Sequence, residues 1–196
     1  IIEEVEMISA HISPKIVIGI RWLATYVSIR PAEMLALTEG QIDHKLGAFI
    51  IPSPKEKKPK VVPMLDEDRE QLAAMPRGLP ELPFFRHHRT ANGAKAGQPF
   101  GKRMFYKWWK RACDNLGVDV DLYGGTKHST VTALGEVLSP EQIKHATMHA
   151  TNQAFERYFM GQGHNAKAGY NAARKLQHNY NDKSRPKAAN VLEYKK

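Results

Sequence analysis

Ile29-Arg30-Pro31-Ala32-Glu33-Met34-Leu35-Ala36-Leu37 sets a cation at a turn and an acid three residues beyond it. Proline lacks a backbone N–H and suits the first position of a helix, so Pro31 predicts that a short helix opens here. Upstream, Ser13-Pro14 has the same logic of an N-cap followed by proline. Ile16, Val17, Ile20, Leu23, Ala24 and Val27 then recur at helical spacing. Arg30 therefore stands between two helices, with Glu33 in reach as an ion-pair partner.

Downstream, two β-prone runs, 48–52 and 61–64, flank a polar segment, 53–60, that holds four lysines. They predict a small hairpin with a basic tip that offers Lys55. A helix is expected over 66–75, a loop rich in Pro, Gly and His over 76–99, and a basic helix with an aromatic face over 102–116. Further helices are expected over 126–137, 140–147 and 151–160, the second opened by the capping-box pattern Ser139-Pro140-Glu141-Gln142. The tail contains one Ala-rich helical stretch, 166–176, and then polar residues without periodicity. The fold class is mainly α with a small β-hairpin or sheet.

The chain has 196 residues, 42% hydrophobic and 25% charged, which suits one globular domain with room for an appendage. Its net charge of +9 favours a polyanionic partner, nucleic acid before an acidic membrane surface. Between residues 86 and 111 there are eight bases (Arg86, Arg89, Lys95, Lys102, Arg103, Lys107, Lys110, Arg111) and no acid. That run reads as a surface that tracks backbone phosphates. Its aromatic residues Phe105, Tyr106, Trp108 and Trp109 belong to the core, because duplex DNA hides its base faces.

The single cysteine, Cys113, excludes an internal disulfide and a Cys-cluster zinc site, and it fits a reducing cytoplasm. No apolar run approaches the ~20 residues that cross a bilayer. There is no phosphate-binding Gly-Lys-Ser/Thr loop, no G-x-S-x-G and no His-Glu-x-x-His. Nine histidines are present, but none stands in a metal-ligand pattern, so no metal or cofactor is expected. The start at Ile1 reads as a fragment of a longer protein.

What remains is a set of cations and a tyrosine: Arg30, Lys55, Gly124-Gly125-Thr126-Lys127-His128 at a helix start, His149, and Tyr158 nine residues after it. Lys55 precedes Pro63 of Val61-Val62-Pro63 by eight residues. In order and spacing these boxes resemble the catalytic domain of the tyrosine recombinases, the phage-integrase family, over roughly 14–160. One box departs from the family's His-x-x-Arg-His: glycine stands at the first histidine position, Gly124, and lysine at the arginine position, Lys127. Lysine keeps the charge but lacks the planar fork that matches two phosphate oxygens.

The resemblance implies the DNA breaking-rejoining fold, with a catalytic domain over 1–160 that lacks the N-terminal core-binding domain, and a basic tail over 161–196. It implies metal-independent transesterification on double-stranded DNA through a 3′-phosphotyrosyl intermediate, in a bacterial or phage cytoplasm. Tyr158 would be the nucleophile. Arg30 and Lys127 would grip the phosphate, His149 would bond it or assist proton transfer, and Lys55 would protonate the leaving oxygen. Glu33 would buttress the Arg30 turn. Arg86, Arg89, Lys102, Arg103, Lys107, Lys110, Arg111 and His128 would contact DNA, and protomers would assemble on it as a homo-oligomer. Two other readings stay open: a DNA-binding relic of an integrase with impaired catalysis, and a type IB topoisomerase.

Overall fold

Helix α2 (Pro14–Thr25) opens as the sequence predicts, with Ser13 extended at the N-cap and proline in the first turn. A computed structural model describes it within residues 1–52, 59–90 and 93–148. Ile16, Val17, Ile18, Ile20, Trp22 and Leu23 are all buried. A helix that is apolar on most sides belongs in the middle of a core. It packs against α1 (Ile2–Ser9), which the sequence reading did not assign, and α5 (Met104–Leu116). Gly19 permits the approach to α5, since a Cβ there would lie 2.2 Å from the Phe105 ring. Phe105, Trp108 and Trp109 are buried on α5, as expected, while Tyr106 is exposed.

The expected hairpin is part of a larger sheet. Strands β1 (Ile42–Asp43), β2 (Ala48–Ile51) and β3 (Lys60–Pro63) form an antiparallel sheet in the order β1-β2-β3. Phe49 faces Ile42 on one side and Val62 on the other. Its ring packs 4.8 Å from Trp22 and 5.0 Å from Tyr26, centroid to centroid, which fixes the sheet on α2. Helix α4 (Asp66–Ala73) follows. Its buried Asp68 accepts hydrogen bonds from Trp22 Nε1 at 2.9 Å and from the Tyr26 hydroxyl, which in turn accepts from Leu65 N–H at 3.0 Å. Burial, aided by the bond to Asp68, holds the Tyr26 phenol well above the usual tyrosine range.

The helix expected over 126–137 starts earlier and ends sooner. A helical run begins at Leu122, widens into a π-helical turn over Gly124–His128, and continues as α6 (Ser129–Leu134). Thr126 Oγ1 donates to Leu122 O at 2.6 Å and Ser129 Oγ to Gly124 O at 2.9 Å. Such side-chain bonds compete with the backbone ladder and loosen the turn. Gly125 lies flat on Trp109, where a Cβ would sit 2.1 Å from the indole. Helix α7 (Pro140–Thr147) has the predicted bounds and a reciprocal Ser139–Gln142 capping box. The hairpin tip, the helix expected over 151–160 and the tail over 161–196 lie outside the described residues. Lys60, expected at the tip, instead begins β3 opposite Ile51.

Candidate functional site

The Arg30 turn is built around one carboxylate. Arg30 is the N-cap of α3 (Pro31–Leu35), and Glu33 is the third residue of that helix. The backbone N–H of Arg30 donates to Glu33 Oε2 at 2.9 Å, and its guanidinium donates to Oε1 at 3.2 Å. A second cation comes from the sheet. Lys60 Nζ donates to Ser28 O at 3.1 Å and to Glu33 Oε1 and Oε2 at 3.3 and 3.2 Å. The Lys60 side chain is only 7% exposed and Glu33 10%, whereas Arg30 keeps 32% of its side chain open.

Lys127 enters from the π turn, which packs on α2; Thr130 Oγ1 donates to Ala24 O at 2.8 Å. Lys127 is 6% exposed, with Nζ 5.6 Å from the centre of the Tyr123 ring. Burial pulls its ammonium below the usual lysine range, Tyr123 opposes that, and the nearby charges of Arg30 and Lys60 push it further down. Arg30 and Lys127, far apart in sequence, therefore share one electrostatic neighbourhood. Arg30 and Lys60 share the carboxylate of Glu33, and Lys127 feels the charges of both, a cationic neighbourhood suited to an anionic ligand such as a phosphate. His128, the next residue, is exposed with its ring edge-on to Tyr123 at 5.0 Å.

The glycine at the departing box does not offer a free backbone donor. Gly124 N–H donates to Asp121 Oδ1 at 2.9 Å, inside a helical run already under way. Lys55, His149 and Tyr158 lie outside the described residues. Among the described residues, no group of three His, Cys, Asp or Glu could hold a metal ion, and no helix is long and apolar enough to cross a membrane.

The basic run divides into two kinds of residue. Arg86 is engaged by Glu39 and the carbonyl of Pro83, inside the loop that covers the core. Arg89 donates to His11 O at 3.0 Å. Lys102, Arg103, Lys107, Lys110 and Arg111 are exposed on α5 and its approach. Of these, Lys110 pairs with Asp114 at 2.9 Å, Arg103 lies over Tyr106 and Arg111 over Trp108. The sequence reading missed Lys60. Its signal was the strand period, which puts Lys60 on the same inward face as Val62.

No known family's sequence model matches the chain, and no curated protein is detectably similar to it. Solved structures do match. The XerA recombinase is 15% identical, with a TM-score of 0.53 over 80% of this chain and 55% of that one. The Tn1549 transposon integrase, an Arg-to-Lys variant in complex with a circular-intermediate DNA, is 13% identical, with a TM-score of 0.56 over 80% of this chain and 58% of that one. A Tyr-to-Phe variant of the same integrase with transposon right-end DNA gives 14% and 0.52, over 79% and 57%. The chain shares the fold of these recombinase and integrase structures. It spans a little over half the length of each.

Proposed function

We propose that residues 1–160 are the catalytic part of a tyrosine-type DNA strand-transfer enzyme and that 161–196 form a basic tail acting with it on DNA. The observation that carries this reading is a Glu33-braced Arg30 whose charge reaches the buried ammonium of Lys127, on a recombinase fold. Both Tn1549 integrase structures are complexes with DNA, which favours the same substrate here.

In the proposed reaction the phenolate oxygen of Tyr158 attacks a DNA phosphorus. A P–O bond forms to the tyrosine, the bond to the 5′-oxygen breaks, and Lys55 gives that oxygen its proton. Phenols are poor nucleophiles near neutral pH, so neighbouring cations favour the ionised form. Arg30 and Lys127 stabilise the charge that gathers on the phosphate oxygens, and His149 hydrogen-bonds one of them. The 3′-phosphotyrosyl link conserves the bond for religation without metal or nucleotide.

A binding-only relic is the second reading. It is favoured by Lys127 in place of arginine and by the engagement of the Gly124 N–H with Asp121. A duplex with a nick beside the cleavage point separates the two. An enzyme leaves a detergent-resistant DNA adduct that Tyr158→Phe abolishes; a relic shifts the duplex in a gel and leaves no adduct. Relaxation of supercoiled plasmid by the monomer would instead indicate a type IB topoisomerase.

A further inference from the structure

We infer that Lys60 is a positioning residue for the Arg30 clamp, holding Glu33 so that this carboxylate does not neutralise the guanidinium. The inference rests on the phosphate-site reading above and assigns a role to a residue outside the expected set.

Each oxygen of Glu33 serves two donors. Oε1 accepts from the Arg30 guanidinium at 3.2 Å and from Lys60 at 3.3 Å; Oε2 accepts from Arg30 N–H at 2.9 Å and from Lys60 at 3.2 Å. Arg30 and Lys60 thus share this negative charge. Arg30 is the more exposed of the two, so it is the one an anion can reach. Without Lys60, a larger share of the carboxylate charge falls to Arg30, and its attraction for an anion drops. Lys60 is also fixed at its other side by Ser28 O, two residues before Arg30, so it braces the turn at two points. It is the first residue of β3, so the same side chain ties the base of the basic hairpin to the clamp.

Lys60 could instead attract phosphate directly, and the two roles are separable. The test is a double-mutant cycle on the 196-residue chain, read as duplex-DNA affinity by fluorescence anisotropy, with circular dichroism to verify folding. In the wild type, Arg30→Ala should weaken binding about ten-fold; in Lys60→Met the same change should cost about two-fold or less, because Glu33 then screens Arg30 more fully. Lys60→Arg should restore the full Arg30 effect. Adding Glu33→Gln to Lys60→Met should restore it too, since no carboxylate then competes. Should Lys60→Met fail to fold, Lys60→Gln, which still donates to Ser28 O, carries the same cycle. Additive losses, or an Arg30→Ala change without effect in the wild type, overturn the inference, as does a failure of Glu33→Gln to rescue. The nicked-duplex adduct is scored separately. Coupling without any adduct sinks the strand-transfer reading and leaves this inference standing; an adduct with an additive cycle does the reverse.

Discussion

Glu33 braces the turn from which Arg30 extends: it takes the backbone N–H of Arg30 on one oxygen and the guanidinium on the other. The same carboxylate is the counter-charge of Lys60, whose side chain is 7% exposed. Breaking a buried pair by removing one partner typically costs about 3–5 kcal/mol, because the other charge stays buried and uncompensated. Glu33→Ala should therefore lower stability on that scale in urea denaturation. Glu33→Gln, which keeps an acceptor for Arg30 N–H, should cost less. A loss below about 1 kcal/mol for Glu33→Ala would mean that the other partners of Lys60, or water, compensate its charge.

The Tyr26 hydroxyl joins α2 to α4 through Asp68 and receives Leu65 N–H. Tyr26→Phe leaves both groups short of a partner and should cost about 1–3 kcal/mol. The pH dependence has a definite sign. The folded phenol ionises above the unfolded one, so its contribution is complete below the ordinary tyrosine pKa and is lost as pH climbs beyond it. Melting temperatures on the alkaline side should fall more steeply in the wild type than in Tyr26→Phe. Parallel curves would contradict the burial of that hydroxyl.

Gly125 marks the closest approach of the π turn to α5, with room for no more than hydrogen against Trp109. Trp109 cannot retreat freely, because its Nε1 donates to Val120 O at 2.8 Å. Overpacking of this kind costs about 1–3 kcal/mol. Gly125→Ala should lower the melting temperature and shift the tryptophan emission in a Trp108→Phe background, where the emission comes from Trp109 and Trp22. It should also weaken DNA binding, since Lys127 lies two residues on in the same turn. A variant as stable as the wild type would show that the turn can slide on the indole.

The parts of the fold legible in the sequence are those fixed by local chemistry. Ser13-Pro14 and Ser139-Pro140 mark helix starts because capping and proline act within one turn, and both helices begin there. The strand runs also stand where residue type put them. What escaped depends on partners distant in sequence. The π turn follows from Thr126, Ser129 and the flat contact of Gly125 with Trp109, none of which periodicity reveals. Arg86 looked like its basic neighbours until Glu39, 47 residues away, took its guanidinium. Lys60 looked like a solvated tip lysine, but Ser28 O and Glu33 draw it inward. Arg30 and Lys127 were legible as a pair only through their resemblance to family boxes.

DNA affinity should depend steeply on salt. The exposed bases along α5 and the net charge of +9 provide counter-ion exchange with the duplex. Each phosphate neutralised contributes about −0.9 to the slope of log K against log salt. Lys107→Ala and Arg103→Ala should each flatten the slope by about one, whereas Arg86→Ala should leave it unchanged and destabilise the loop instead. Equal flattening by all three would return Arg86 to the DNA surface.

In the proposed strand-transfer reaction, Lys127 sets the rate of cleavage. Its ammonium carries the charge of an arginine at a phosphate clamp but not the second, parallel hydrogen bond. Lys127→Arg should leave duplex affinity within about two-fold and raise the rate of adduct formation on a nicked duplex; loss of one transition-state donor has cost about 10²–10³ in rate in other sites. The pH profile supplies an independent reading. Burial draws the Lys127 pKa down, so its charge is lost at lower pH than that of a free lysine, whereas arginine stays charged throughout. The ratio of variant to wild-type rates should therefore grow as pH rises. Stability follows the same linkage. The buried ammonium costs the fold most below its lowered pKa, and that cost fades as pH rises toward the ordinary lysine value, so the wild type should gain on Lys127→Met across that alkaline window. A Lys127→Arg rate equal to or below the wild type, with a flat ratio across pH, would mean that the slot beside Tyr123 is shaped for lysine and that the guanidinium cannot reach the phosphate.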